Sequence, residues 1–206
     1  MSDSNNGGVP PSPKKVCFVT IGATASFASL IYAVLSTAFF AALEVYGYTD
    51  LLVQYGKDGE ELYRRRLKEI RDTGLYSRIT ASGFGLDAAG LGKYMRLAKA
   101  GGEGGAEGVV VSHAGSGTIL DALRMAVPLI VVPNEELLDN HQVELAEALA
   151  EQEYVVHGRI TDLPKALAEA EKLRVRQKDW PPVNSGAHQH SKGLADVMDE
   201  EMGFLD

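Results

Sequence analysis

The sequence predicts an α/β protein built on a doubly wound parallel sheet. Three observations carry this. The runs VCFVTI at 16–21, VVVS at 109–112 and LIVV at 129–132 are apolar without alternation, as strands covered by helices on both faces must be. Segments of helical periodicity separate them. The residues that leave these strands are small or polar, namely GAT at 22–24, HAGSGT at 113–118 and PNEELLDNHQ at 133–142.

Val16–Ile21 reads as the first strand, ending in a tight Gly-Ala-Thr turn. Residues 23–43 then carry no charge, and Phe27, Leu30, Ile31, Val34 and Leu35 recur at helical spacing. Their length matches a membrane span, but the Ala, Ser and Thr content and the absence of Lys or Arg flanks favour one long core helix. Leu51–Gln54 is a second strand, Tyr63–Asp72 a polar helix or loop, and Arg78–Ala81 a weaker third strand stopping at Ser82-Gly83-Phe84-Gly85.

A helix over Lys93–Ala100 runs into GGEGGAEG, read as a surface loop with no part in chemistry because no helix follows it. After it come strand Val109–Ser112, helix Thr118–Ala126, strand Leu129–Val132, helix Asn140–Glu151, strand Tyr154–His157 and helix Leu163–Leu173. The expected organisation is a leader at 1–14, one domain over 15–173 and a tail at 174–206, whose Leu194, Val197, Met198 and Met202 suit a small amphipathic helix docking on a partner or on the protein's own core. His188 and His190 flank Gln189 without a third ligand nearby, which argues against zinc.

With 45% apolar and 23% charged residues over 206 positions, the chain has the composition of one globular domain. The net charge of -8 argues against a nucleic-acid binder, since that affinity rests on clustered Lys and Arg. The basic cluster Arg64–Lys68 reads as a solvated helix face. A single cysteine, Cys17, allows no internal disulfide and fits the cytosol. The first residues lack the charged and apolar regions of a signal peptide.

In such sheets ligands bind beyond the carboxyl ends of the strands. Gly22, Ala23 and Thr24 allow backbone amides to approach an anion, although any tight turn favours such residues. His113 to Thr118 opens a helix, so Gly115, Ser116, Gly117 and Thr118 make an anion site, or else supply turn geometry and a cap. Asp121, one turn on, suits a ribose diol or simply the helix dipole. Asn140, His141 and Gln142 offer donors and acceptors to a sugar, with Asp139 or Asn140 as the alternative cap.

VVVSHAGSGTILDALRMAVPLIVVPNEELLDNHQVELAEAL resembles the donor-binding half of GT-B glycosyltransferases. Within that group it looks like the family 28-like small eukaryotic catalytic subunit that moves GlcNAc from UDP-GlcNAc to dolichyl-diphosphate-GlcNAc. VTIGATASFASLI, ALEVYGYTDLLVQYGKDG and MDEEMGFLD resemble other parts of that family.

The resemblance implies a Rossmann-like fold equivalent to the C-terminal half of a GT-B enzyme. It also implies a role in the second step of N-glycan precursor assembly, and a membrane-anchored partner that supplies the acceptor half on the cytosolic face of the endoplasmic reticulum. UDP-GlcNAc is then the donor substrate, with no tightly bound cofactor. No Asp-x-Asp motif requires a metal. Asp121 takes the place of a ribose-binding acid, and His141 and Gln142 that of a Gln pair on the donor sugar, with His141 departing from the pattern. The Gly22 loop and Ser116–Thr118 hold the diphosphate, and Gly83-Phe84 lie near the uracil. The general base is expected on the partner; His113 and His141 are the candidates in this chain, with His113 read first as shaping the nucleotide loop. A non-catalytic UDP-sugar-binding module is the alternative; an epimerase-like domain would need a longer chain.

Overall fold

The computed structural model describes residues 13–99, 105–136 and 141–179, the last three by their backbone alone. Six parallel strands form one sheet in the order β3-β2-β1-β4-β5-β6. They are β1 (Lys15–Thr20), β2 (Asp50–Gln54), β3 (Thr80–Phe84), β4 (Ala106–His113), β5 (Leu129–Val132) and β6 (Val156–His157). The chain runs outward from β1 through β2 to β3, then returns to place β4 on the other side of β1. A crevice therefore opens between the carboxyl ends of β1 and β4.

The apolar runs alternate in the direction they point rather than in polarity. Cys17, Val19, Val109, Val111, Ile130 and Val132 face one core with α1 (Ala28–Val34), α2 (Thr37–Val45), α3 (Glu60–Asp72) and α7 (Leu163–Asp179). Phe18, Val110, Leu129 and Val131 face the other with α4 (Gly92–Ala98), α5 (Ser116–Arg124) and α6 (His141–Glu151).

Several elements depart from the expectations. The uncharged stretch forms two helices bent by 52°, not one. Ser36 breaks it: its hydroxyl donates to the Ala33 carbonyl (2.7 Å), ending α1, and accepts from Phe39 N–H (3.2 Å), capping α2. No single helix among the described residues is long and apolar enough to cross a membrane. The turn read at Ser82–Gly85 is mostly strand, since β3 continues to Phe84. The glycine-rich loop ends earlier than expected: Ala106, Glu107 and Gly108 belong to β4. A bulge there lets Lys15 pair with Ala106 and Cys17 with Val109, and a Cβ on Gly108 would lie 1.9 Å from the Val16 carbonyl oxygen.

Helix α7 runs to Asp179, past the expected end at Leu173. Its extra turn carries Arg174 into a cluster at the start of β1. Lys15, 8% exposed, donates from Nζ to the Tyr46 carbonyl (2.8 Å) and to Glu171 Oε2 (3.1 Å). The Tyr48 hydroxyl donates to Glu171 Oε1 (2.7 Å), and Arg174 pairs with Glu171 and with Glu107. Burial lowers the Lys15 pKa and raises that of Tyr48. Residues 194–206, His188 and His190 lie outside the described residues.

Candidate functional site

The loops leaving β1 and β4 meet around one side chain. His113 ends β4, and its imidazole lies between Gly22 and Gly115. A Cβ on Gly22 would fall 2.6 Å from its Nε2, and one on Gly115 only 2.2 Å. Two glycines on different loops thus make room for one ring. Nδ1 is buried without a hydrogen-bond partner among the described residues. Burial lowers the imidazole pKa below its ordinary 6.5, with the backbone of Thr20 acting to a lesser extent in the opposite sense. The ring is therefore mainly neutral at pH 7.

The backbone turns sharply at this point. The His113 carbonyl accepts from the Ser112 hydroxyl (2.6 Å) and from Gly115 N–H (2.8 Å). Gly115 then occupies the N-cap of α5, where it has no side chain to offer. The first-turn amides of Ser116, Gly117 and Thr118 have no acceptor inside the helix. They point, with the positive end of the helix dipole, into the crevice at the β1/β4 switch. Asp121 follows one turn later with its side chain 56% exposed and, among the described residues, a 3.6 Å ion pair to Arg124. The arrangement offers amides able to take an anion and, one turn on, an exposed carboxylate able to accept hydrogen bonds.

At Gly22, φ is +81° and the N–H is already donated to Thr20 Oγ1 (3.2 Å). Gly22 thus contributes shape, and the exposed Ala23 and Thr24 are the residues its loop presents. Gly83 lies within β3 with Tyr63 over it, where a Cβ would fall 2.7 Å from the ring. Phe84 stacks on Tyr94 with centroids 3.9 Å apart and lies alongside Phe18. The structure therefore places both residues at the end of an edge strand, with their side-chain directions already taken.

At the start of α6, His141 is exposed and 3.5 Å from Glu144. Gln142 accepts at Oε1 from Asn134 N–H (3.1 Å), and its Nε2 has no partner among the described residues. Asn140 lies outside the described residues. Among the described residues no group of three His, Cys, Asp or Glu side chains is placed to hold a metal ion. A cavity of about 250 Å³ lined by Phe40, Leu67, Ile70, Tyr76 and Ile79 lies at the opposite, amino-terminal edge of the sheet, away from this site.

One residue at the site escaped the sequence reading: Gln54 at the end of β2 is a buried amide bonded to the β1 loop, and a polar residue ending an apolar run was its only signal. Asn134, read as part of the polar loop after β5, is a second buried amide bonded to the β1 loop.

Residues 104–196 match the family described as glycosyltransferase family 28 C-terminal domain. The UDP-N-acetylglucosamine transferase subunit ALG13 of Cryptococcus neoformans is 34% identical over 90% of this chain and 96% of its own length. The protein of that name from Saccharomyces cerevisiae is 34% identical over 69% of this chain and 76% of its own. An NMR solution structure of ALG13 superposes with a TM-score of 0.56 at 28% identity, over 81% of this chain and 87% of that one. MurG of Acinetobacter baumannii shares the fold, with a TM-score of 0.55 at 15% identity over 93% of this chain and 49% of that one.

Proposed function

The chain belongs to the ALG13 family of UDP-N-acetylglucosamine transferase subunits, and we propose that it is the donor-binding half of a split enzyme that transfers GlcNAc from UDP-GlcNAc to dolichyl-diphosphate-GlcNAc. The observation that supports this reading is an α5 N-terminus without a side-chain cap, at the β1/β4 switch, with an exposed acid one turn further along the same helix. The diphosphate sits on the amides of Ser116, Gly117 and Thr118 and beside Ala23 and Thr24. Asp121 accepts from the ribose hydroxyls. Gln142 donates from Nε2 to an oxygen of the sugar, and His141 lies alongside it. Gly83 and Phe84 enter as the strand end beneath the uracil, through backbone rather than side chain.

In the transfer, the bond from the GlcNAc anomeric carbon to the diphosphate oxygen breaks and a bond from that carbon to the acceptor hydroxyl forms. The departing UDP gains negative charge, which the α5 amides and dipole stabilise. The acceptor hydroxyl loses a proton to a general base. His113 is neutral but wedged between two glycines, and His141 stands in solvent beside Glu144. The base is therefore assigned to a membrane-anchored partner, which also brings the acceptor and holds this chain at the cytosolic face of the endoplasmic reticulum.

The test is transfer of GlcNAc to a short-chain polyprenyl-diphosphate-GlcNAc by this chain alone and with its candidate membrane subunit. Activity in the pair only is expected. Activity of the isolated chain would move the base to His113 or His141. UDP-GlcNAc binding without transfer in either case would make the chain a binding module.

A further inference from the structure

Two buried amide side chains hold the two ends of the loop between β1 and α1, and both are bonded to the protein rather than turned to a ligand. At the near end, Gln54, 2% exposed, accepts at Oε1 from the Thr20 hydroxyl (2.7 Å) and from Ile21 N–H (3.1 Å). Its Nε2 donates to the Gly22 carbonyl (3.0 Å), and Thr20 Oγ1 accepts from Gly22 N–H. At the far end, Asn134, 5% exposed, donates from Nδ2 to the Ser26 carbonyl (3.3 Å). Its Oδ1 accepts from Glu136 N–H (3.2 Å), while its own N–H holds Gln142. Outside this, the Ser29 hydroxyl donates to Glu136 Oε1 (3.0 Å). Ala23 and Thr24 stand exposed between the two anchors.

Ordering a loop of small residues loses much backbone entropy. If ordering came with the ligand, affinity would be lost to it; ordering built into the fold avoids that loss. Aliphatic side chains at 54 and 134 would serve a core equally well, so satisfied buried amides at both ends of one loop point to a need for its conformation. We propose that Gln54 and Asn134 are positioning residues that pre-form the 22–26 loop for the diphosphate of the donor. The proposal rests on the donor-site reading above. Asn134 has a second part in it, because it ties this loop to Gln142 and so sets diphosphate and sugar contacts in one frame.

The experiment uses the full chain and the variants Gln54→Met, Asn134→Ala and Asn134→Asp. The aspartate keeps the acceptor for Glu136 N–H but loses the donor to Ser26, so it serves if Gln54→Met does not fold. Amide hydrogen exchange over 21–27 is compared with that of β4 and β5, and affinities are measured for UDP-GlcNAc and for uridine. We expect loop exchange to rise about tenfold with β4 and β5 unchanged, and UDP-GlcNAc affinity to fall about tenfold, the effect of one lost hydrogen bond. Uridine, which carries no phosphate, should lose less than about twofold. Unchanged loop exchange, or equal losses for both ligands, would overturn the inference while leaving the donor site standing. Failure of the unaltered chain to bind UDP-GlcNAc would overturn the donor-site reading and the role drawn from it.

Discussion

Replacing Gly115 by alanine should destabilise the protein through His113, and a double-mutant cycle isolates that effect. The added Cβ would lie 2.2 Å from Nε2, 2.8 Å from Cε1 and 3.1 Å from Cδ2 of the imidazole. Ordinary contact is about 3.5 Å, so the ring must retreat by about 1.3 Å. A Cβ on Gly22 would lie 2.6 Å from the same Nε2 and Cε1 atoms, so that end of the ring is already closely packed by both loops.

Overpacking of this kind costs about 1–3 kcal/mol. Alanine is also a poorer N-cap than glycine, by a few tenths to about 1 kcal/mol, and a comparable gain from a less flexible unfolded chain offsets this. The backbone at Gly115 has φ -84°, so no left-handed strain is added. The net expectation is about 2 kcal/mol, falling to near zero in a His113→Ala background. Gly22→Ala behaves differently: at φ +81° it keeps about 1–2 kcal/mol of backbone strain even when His113 is removed. Urea unfolding followed by circular dichroism gives all the values. If Gly115→Ala costs the same in both backgrounds to within about 0.5 kcal/mol, the shared-slot argument is wrong.

Asp121→Ala should weaken UDP-GlcNAc binding by about 1–3 kcal/mol with the urea midpoint unchanged, because the side chain is exposed and its ion pair is long; calorimetric titration checks it. Glu171→Gln removes the charge on which Lys15, Tyr48 and Arg174 converge, and should cost about 3 kcal/mol of stability, read from the same unfolding curves. The folded pKa of His113 is depressed, so the unfolded state takes up its proton first as pH falls. Its contribution is present above pH 6.5 and is lost below it, as pH descends through the folded pKa. In His113→Gln the slope of stability against pH below 6.5 should flatten, the remainder belonging to groups such as His157, whose pKa burial also lowers.

The strands were the most legible part, because a strand buried on both faces must be apolar throughout and β5 is LIVV from end to end. The order of the strands was less so, since it depends on pairings far apart in sequence. The α1–α2 break was hidden because Ser36 sits among residues that all suit a helix. The end of α7 was placed too early because RVRQKD lacks an apolar stripe, although every one of those residues tolerates a helix. At the site, the three loops were legible from their small and polar residues. What each residue does was harder to read. Gly22 and Gly115 were read as giving a ligand close approach or as turn geometry alone, and the sequence did not show that their missing side chains also make room for His113. Asn134 was read within a ligand loop, and its side chain turns inward to Ser26 instead. A sequence shows that a polar side chain is present, but not which way it faces.

The central position of β1 also has a cost during synthesis. Val19 pairs with Val111, 92 positions later. At ribosomal rates of about 5–20 residues per second, the far edge of β1 stays open for about 5–20 seconds after it is made. Meanwhile β2 emerges and can close only the near edge. The nascent half-domain thus shows an apolar strand edge able to recruit any strand within reach. A chain stopped before residue 109 keeps that edge permanently, so truncated forms should aggregate or be held by chaperones.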